Sequence, residues 1–309
     1  MSVRAFIVGG RGILGGCPLN AWLDAGHQIV DYWTTDLERE RRDNRFVDLF
    51  CPEFSTMAAL ERARVTPKYY ADQGGAPALT RAVAAASPDV LISIGFGRRL
   101  KNDLLSSLPN RCFNLHPALL PICRGPAPIL GLLFDDRMSD AGGMTLHLID
   151  DELDTGAIVG AIAAPPDPTN NPLRYHVQTA RLGARLLVEL LPKFLSGNLM
   201  PRRQNEDKAT FRRLSRNDLV IRPDMDIVLA ERLARTVPWI SRLNAEVSGR
   251  LIPVDGVITK LRPDSGASSW VGLRSVEMKL NGGRLRLRRR TAVHRLLWKW
   301  RRMSFLFNA

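Results

Sequence analysis

Three side chains in one stretch of the sequence, residues 113–156, could together transfer an acyl group to an amine. Asn114 and His116 lie two residues apart, so both point to the same side if the segment is an extended strand. Asp154 follows further along the chain, in an Asp-Thr-Gly turn between two apolar runs. The spacing predicts that a strand end carries the first two groups and that a turn brings the carboxylate to them.

Acyl transfer to an amine needs these residue types. An attacking amine builds negative charge on the acyl oxygen and positive charge on its own nitrogen. The Asn114 amide and the His116 imidazole could stabilise the oxyanion, for which one well-placed donor contributes roughly 3 to 4 kcal/mol. The Asp154 carboxylate could orient the imidazole or accept the amine proton, directly or through water. Such a site requires neither a metal ion nor a covalent nucleophile. Taken singly, a strand-end histidine and a turn aspartate are ordinary structural residues.

The motifs around these residues resemble those of the 10-formyltetrahydrofolate-dependent formyltransferases. That family includes methionyl-tRNA formyltransferase, glycinamide ribonucleotide formyltransferase and the amino-sugar N-formyltransferases. The shared features, in chain order, are Asn-x-His-Pro-x-Leu-Leu-Pro at 114–121, Arg-Gly at 124–125 and Leu-Asp-Thr-Gly at 153–156. The resemblance implies a formyltransferase that uses 10-formyltetrahydrofolate as co-substrate. The family's catalytic asparagine, histidine and aspartate correspond to Asn114, His116 and Asp154.

The resemblance also assigns binding residues. In the family, the loop that follows the strand at 90–94 walls the folate pocket. The folate-binding positions implied in that loop are Phe96, Gly97 and Leu100, and those in the aspartate loop are Ile149, Asp150, Leu153 and Gly156. The positions expected to meet the substrate are Arg124 and Gly125, which match the family's Arg-Gly pair. The glycine-rich turn near the N-terminus adds Gly10.

A glycine-rich turn near the N-terminus keeps a second class of function open. Residues 3–8 are predicted as a buried strand, and Gly10-x-Gly12-x-x-Gly15 follows, with Asp31 on the next predicted strand. This is the context of a dinucleotide-binding fingerprint, so a nicotinamide-dependent oxidoreductase is the alternative. Formyltransferases also begin with a strand, a glycine turn and a helix, and the sequence lacks a Tyr-x-x-x-Lys pair for hydride transfer. A tight turn whose amides could meet a substrate phosphate is therefore favoured.

The order of apolar runs predicts the fold class. Strands alternate with helices up to residue 199, which predicts an α/β domain with a doubly wound, mostly parallel sheet. This fold is similar to the Rossmann-like fold of the formyltransferases. The site is expected at the carboxyl ends of the strands. Residues 200–216 are predicted as a basic linker. Residues 217–309 are predicted as a small β-rich domain that ends in a basic amphipathic helix.

Two further segments carry specific expectations. The alternating run at 144–149 predicts a strand in which His147 faces a polar surface rather than acting as an additional catalyst. The mixed-charge run at 36–45 is predicted as a solvated loop or an exposed helix.

Length, composition and the absence of long apolar runs limit the other classes of protein that the sequence could belong to. The chain has 309 residues, 45% hydrophobic and 24% charged, as expected for a soluble globular protein of two domains. No apolar run approaches the roughly 20 residues of a membrane span, and no signal peptide is apparent, so a cytoplasmic enzyme with reduced cysteines is expected.

The net charge of +13 is unusual and is concentrated late in the chain. The predicted helix at 291–307 would dock on its own domain or on a second subunit of a homodimer, and contact with an anionic membrane surface is the alternative. A basic protein without catalysis that binds nucleic acid or lipid is a third class of function.

The acceptor amine is left open between small molecules and tRNA. The chain length, the second domain and the basic linker suit methionyl-tRNA, because tRNA binding relies on arginine and lysine at phosphates. The runs Thr145-Leu146-His147 and Ile122-Cys123 resemble the amino-sugar enzymes more closely. A small, phosphate-bearing amine such as a nucleotide-linked amino sugar is therefore favoured, with hydroxyornithine-type amines as a further alternative.

Overall fold

The computed structural model describes residues 2–10, 12–35, 51–167, 171–239, 241–261 and 269–291. The predictions for residues 36–45 and for the terminal helix after Thr291 lie outside these ranges. The chain divides into two compact units. The first comprises Met1–Pro128, Asp140–Pro166 and His176–Arg212, and the second comprises Ile129–Ser139, Asp167–Tyr175 and Arg213–Ala309.

A seven-stranded sheet in the order β3-β2-β1-β4-β5-β6-β7 organises the first unit. Its strands are β1 (Arg4–Gly9), β2 (Gln28–Thr34), β3 (Lys68–Tyr69), β4 (Val90–Ile94), β5 (Cys112–His116), β6 (Gly143–Leu148) and β7 (Ile158–Ala163). The first five strands pair in parallel, whereas β6 runs antiparallel to β5 and β7 antiparallel to β6. The prediction of a mostly parallel α/β sheet is therefore confirmed.

The helices of the described chain lie mainly between these strands. They are Ile13–Asp24, Thr56–Ala63, Gly75–Ala86, Asn102–Ser107, Pro128–Phe134, Met138–Ala141, Pro172–Arg185, Leu191–Leu195 and Ile227–Thr236, with a π-helical segment at Leu186–Leu190 and 3₁₀ turns at Pro52–Phe54, Glu206–Lys208, Arg216–Leu219 and Val237–Trp239. None of the helices within the described ranges has both the length and the apolar character needed to cross a bilayer.

Alternate residues of β1 supply two separate cores, because successive side chains of a strand point to opposite faces. Ile7 packs in a buried cluster with Trp22 and Leu60, whereas Val8 packs in another with Leu79. Helices therefore cover both faces of the sheet, and the carboxyl ends of its parallel strands are left for a site.

The second unit contains a six-stranded sheet in the order β11-β12-β13-β10-β9-β8, which confirms its β-rich character. Its strands are β8 (Val220–Ile221), β9 (Leu243–Val247), β10 (Arg250–Leu261), β11 (Trp270–Val271), β12 (Ser275–Leu280) and β13 (Gly283–Arg289). The alternating arginines of β13 do not form an open basic face. Glu277 forms ion pairs with Arg284 and Arg286, and Arg284 is buried.

The glycine turn after β1 packs tightly against neighbouring backbone. The amide of Gly10 donates to the carbonyl oxygen of Ile94 at 3.0 Å, and its carbonyl oxygen accepts from the Tyr32 hydroxyl at 2.9 Å. A Cβ on Gly16 would lie 2.1 Å from the carbonyl carbon of Phe54. The Gly10 amide is thus already hydrogen-bonded within the protein, which differs from its predicted role toward a substrate phosphate.

The acidic residue of the fingerprint is also engaged elsewhere. Asp31 is buried, and its Oδ2 lies 2.7 Å from Nζ of Lys68. Its Oδ1 accepts from the amide of Tyr32 at 2.8 Å. A ribose hydroxyl would have to displace these partners, so the geometry of this turn does not favour the dinucleotide alternative.

Gly12, which ends the turn, and Gly16, in the helix that follows it, provide a test of tight packing. Gly16→Ala should lower the free energy of unfolding by at least about 2 kcal/mol, because the new methyl group meets backbone that cannot rotate away. Helix propensity alone would favour alanine by roughly 1 kcal/mol. Gly12→Ala should lower stability by at most about 1 kcal/mol, since no atom lies within 4 Å of its Cβ position and only the preference of the N-cap for glycine over alanine is lost. Urea unfolding curves for the two variants would measure the difference, and equal midpoints would contradict it.

Candidate active site

The structure brings Asn114, His116 and Asp154 together at the carboxyl end of β5. Asn114 and His116 lie on β5, and Asp154 lies in the loop between β6 and β7. Nδ2 of Asn114 is 3.2 Å from Oδ1 of Asp154. Nδ1 of His116 is 3.6 Å from Oδ2 of Asp154. Asn114 and His116 therefore both lie next to the carboxylate of Asp154, as predicted for a catalytic set.

Asp154 is 7% exposed, yet its carboxyl group is held in the ionised form. Burial opposes ionisation, but the interactions with His147 and His116 and the hydrogen bond from the Gly125 amide outweigh it and lower the pKa of Asp154 to about 2. The Gly125 amide donates to Oδ2 at 2.8 Å. Asp154 also has a φ of 60°, a left-handed conformation that aspartate tolerates better than most residues.

The backbone sets the tautomer of His116. Its Nε2 lies 3.0 Å from the carbonyl oxygen of Cys123, which can only accept a hydrogen bond, so Nε2 carries the hydrogen. Burial lowers the pKa of His116, which favours the neutral ring. Its free nitrogen, Nδ1, consequently faces Asp154. A proton taken up at Nδ1 would lie next to the carboxylate.

The prediction that His147 faces a polar surface is wrong. His147 is 2% exposed and is the direct cross-strand partner of Asn114 in the antiparallel β5–β6 pair. Its Nδ1 donates to the carbonyl oxygen of Leu148 at 2.8 Å, so Nε2 is left to accept. Nε2 lies 3.1 Å from Nδ2 of Asn114 and 3.6 Å from Oδ1 of Asp154. His147 is buried because β6 lies between β5 and β7, and its side chain faces the candidate site.

A signal for His147 was present in the sequence. Thr145 and His147 are the polar members of an otherwise apolar alternating strand, so both point to one side. In the structure Thr145 pairs with His116 across the sheet, and its hydroxyl donates to the carbonyl oxygen of Ala118 at 2.7 Å. Of the two polar positions on this strand, His147 thus contacts the cluster and Thr145 supports the loop after β5.

Both amide hydrogens of Asn114 are used inside this cluster. One is directed to Oδ1 of Asp154 and the other to Nε2 of His147. An acyl oxygen could receive a hydrogen bond from Asn114 only by replacing one of these acceptors. The side chain is therefore tightly oriented before any ligand binds.

The residues predicted to bind folate in the loop after β4 adjoin β5. Phe96 is half-buried and packs edge-on against Tyr70, with ring centroids 5.5 Å apart. Gly97 is exposed and Leu100 is buried. Since β4 neighbours β5 in the sheet, this loop lies at the same edge as Asn114. Their role toward folate remains a prediction.

The predicted folate-binding residues of the aspartate loop have mixed environments. The Ile149 amide donates to the carbonyl oxygen of Cys112 at 2.8 Å, and Asp150 accepts from the Thr155 hydroxyl at 2.7 Å. Leu153 is exposed. A Cβ on Gly156 would lie 1.8 Å from the carbonyl oxygen of Leu148, so the loop can close only on glycine here.

The Arg-Gly pair at 124–125 contacts the aspartate loop and the segment at 200–212. Gly125, with φ of 118°, supplies its amide to Asp154, and a Cβ there would lie 2.7 Å from the carbonyl oxygen of Arg212. Arg124 is buried, and its guanidinium donates to Gln204 and Glu206. Arg124 was predicted to meet the substrate, but in this structure its guanidinium is bound to these two side chains of residues 200–212.

A cleft of about 250 Å³ opens beside the aspartate loop. It separates that loop from residues 209–211, and one wall carries Phe211, which is 58% exposed. The lining residues are Arg124, Glu152, Leu153, Thr155, Ala209, Thr210 and Phe211. The cleft provides room for a ligand next to the backbone that carries Asp154. Within the described ranges, no group of three or more His, Cys, Asp and Glu residues is arranged to hold a metal ion.

Comparisons with known proteins find similarity in sequence and in fold. Residues 52–191 match the formyl transferase family. A methionyl-tRNA formyltransferase of Chloroflexus aurantiacus is 30% identical over 223 residues, which are 72% of this chain and 69% of the relative. One of Roseiflexus sp. is 35% identical over 167 residues, which are 53% of this chain but only half of the relative.

A solved structure has a similar fold. The N-formyltransferase of Helicobacter canadensis, in complex with folinic acid and dTDP-3-aminofucose, has a TM-score of 0.62 and 15% identity, covering 94% of this chain and all of that one. The chain belongs to the formyltransferase family, a family of enzymes that transfer a formyl group.

His147 provides a test of how the site is held. His147→Ala should lower kcat by roughly 10- to 100-fold, because Asn114 loses an acceptor and small misplacements of catalytic groups are costly. His27→Ala serves as the control, since His27 is also buried but contacts the amide of Val3, away from the site. Steady-state kinetics of both variants below their melting temperatures would measure this. Unchanged kcat in His147→Ala would contradict it.

Proposed function

We propose that the protein is an N-formyltransferase that moves a formyl group from 10-formyltetrahydrofolate to the primary amine of a small, phosphate-bearing metabolite, with a nucleotide-linked amino sugar as the favoured acceptor. The observation that carries the proposal is the cluster of Asn114, neutral His116 and ionised Asp154 around one point. Such a set can handle the charges and the proton of amine acylation without a metal ion.

The mechanism follows from the positions of the hydrogens. The amine nitrogen attacks the formyl carbon, and negative charge develops on the formyl oxygen. The amine then loses a proton to Nδ1 of His116, and the resulting imidazolium is stabilised by Asp154. The intermediate collapses by breaking the bond between the formyl carbon and N10 of the folate. N10 receives the proton held by the His116 imidazolium as tetrahydrofolate leaves, which restores the neutral ring. Asn114 stabilises the oxyanion after exchanging one of its two internal acceptors for the formyl oxygen.

The choice of a small acceptor is supported by two observations. The run Thr145-Leu146-His147 resembles that of amino-sugar enzymes, and the Helicobacter canadensis enzyme of similar fold was crystallised with an amino-sugar nucleotide. Exposed arginines near the site, including Arg98 and Arg202, could neutralise phosphates of such a ligand.

Methionyl-tRNA is the second candidate acceptor. The relatives that share about 30% identity over two-thirds of their length are methionyl-tRNA formyltransferases. The net charge of +13 would also favour a polyanionic substrate. For this acceptor, the apparent affinity should fall steeply with rising salt concentration, whereas a sugar nucleotide with few phosphates should show a shallow dependence.

One experiment tests the function and the acceptor together. The full-length protein is incubated with 10-formyltetrahydrofolate and, in turn, aminated sugar nucleotides, hydroxyornithine and charged initiator tRNA. We expect tetrahydrofolate release that depends on an amino-sugar nucleotide. Release only with tRNA would select the second candidate, and release with none of them would contradict formyl transfer to these acceptors.

Variants of the cluster test the assigned roles. Asn114→Ala and Asp154→Asn should each lower kcat by roughly 10²- to 10³-fold, because one loses an oxyanion donor and the other loses the charge that supports the imidazolium. Equilibrium binding of folinic acid, followed by tryptophan fluorescence, checks that the variants still bind a folate. Near wild-type turnover in both variants would show that these roles are wrongly assigned.

The pH dependence should report on His116. Burial places the pKa of His116 below its usual value of 6.5, and Asp154 stays ionised well below that. Activity needs the neutral ring as proton acceptor, so kcat/KM should rise with pH and level off before pH 7. A midpoint of the acid limb above 6.5 would contradict a buried neutral His116 as the base.

A further inference from the structure

We infer that Gln204 is a positioning residue for the proposed reaction, because its side-chain amide holds the backbone of the aspartate loop and so fixes the carboxylate of Asp154. This inference rests on the proposed function for its effect on turnover. Gln204 lies in residues 200–216, which the sequence suggests are only a basic linker.

The amide group of Gln204 bridges two carbonyl groups of the aspartate loop. Its Nε2 donates to the carbonyl oxygens of Asp154 and Gly156, each at 2.8 Å. These two residues flank Thr155, so one side chain fixes both ends of a three-residue segment. The segment includes the left-handed conformation of Asp154, which surrounding contacts must maintain.

A buried arginine fixes the orientation of Gln204. Its Oε1 accepts from Nε and Nη2 of Arg124 at 3.1 and 2.8 Å. Arg124 in turn forms a two-pronged pair with the carboxylate of Glu206, at 2.8 and 2.7 Å. Since guanidinium groups can only donate, the oxygen of Gln204 must face Arg124 and its nitrogen must face the loop.

Backbone hydrogen bonds anchor the same segment on both sides of the site. Arg202 exchanges hydrogen bonds with Ile158 at 2.9 and 2.8 Å, just after the aspartate loop. The amide of Arg124 donates to the carbonyl oxygen of Thr210, and that of Arg212 donates to the carbonyl oxygen of Arg124, at 2.9 and 3.1 Å. Residues 202–212 therefore run along the first unit as part of its structure.

Two constraints on the Asp154 carboxylate converge on this segment. Gln204 holds the backbone from which the carboxylate projects. Arg212 and Thr210 hold Arg124, and the next residue, Gly125, donates its amide to the carboxylate. A displacement of about 1 Å between catalytic groups can lower turnover about 100-fold. Loss of the Gln204 amide should therefore reduce turnover, although among the described residues this amide is hydrogen-bonded only to Arg124 and to the aspartate loop.

Three variants separate this role from simple packing. Gln204→Ala removes the bridge to the loop and the contact with Arg124. Gln204→Glu keeps the size of the side chain and an acceptor for Arg124, but its ionised carboxylate cannot donate to the two loop carbonyls. Asp207→Asn is the matched control, since Asp207 is an exposed neighbour on the same segment.

The experiment measures kinetics and amide hydrogen exchange on the full-length variants. We expect Gln204→Ala and Gln204→Glu to lose roughly 10- to 100-fold in kcat, with KM values changed by no more than about threefold. Both should also exchange the Gly125 amide faster than the wild type, and Asp207→Asn should change neither. Gln204→Glu with wild-type kcat and protection would overturn the inference. The exchange measurement remains informative even if the proposed function fails, because it needs no substrate.

Discussion

The architecture of the site depends on one buried, ionised carboxylate. Removing Asp154 from water works against its charge, and donors from separate parts of the chain outweigh that effect. Asn114 of β5 and the Gly125 amide of the loop between β5 and β6 donate to the carboxylate, and His147 of β6 accepts from Asn114 beside it. If one of these segments moved alone, the charged carboxylate would lose a hydrogen-bond partner. The carboxylate therefore holds the loops against the sheet.

Two histidines face this carboxylate with opposite tautomers, and backbone carbonyls decide which is which. Cys123 fixes the hydrogen of His116 on Nε2, whereas Leu148 fixes that of His147 on Nδ1. His116 thus presents Nδ1 to Asp154, while His147 presents Nε2 to Asn114. One ring is set to take up a proton next to a negative charge, and the other to orient an amide. The two histidine side chains therefore have different roles, because each one donates its hydrogen to a different backbone carbonyl.

The sequence predicts the strands and three residues of the site, but it does not predict the roles of His147 and Gln204. Apolar runs and turn residues give the strands of the mostly parallel sheet, because both signals are local. Asn114, His116 and Asp154 follow from motif spacing. His147 and Gln204 depend on pairings between distant segments: the antiparallel placement of β6 beside β5, and the path of residues 202–212 along the first unit. Composition suggested a basic linker at 200–216, and charge alone does not reveal the hydrogen bonds of Gln204.

The pairing of Asn114 with His147 also limits the insertions and deletions that β6 can tolerate. Because side chains alternate along a strand, one inserted or deleted codon within β6 would replace His147 with a leucine opposite Asn114 and turn the polar partners away from the reaction centre. The exposed turn at Asp135 and Asp136, which precedes β6, lies outside the paired strand, so a change in its length leaves this register unchanged. Among natural variants of this chain, length differences should therefore accumulate before Gly143 and stop there.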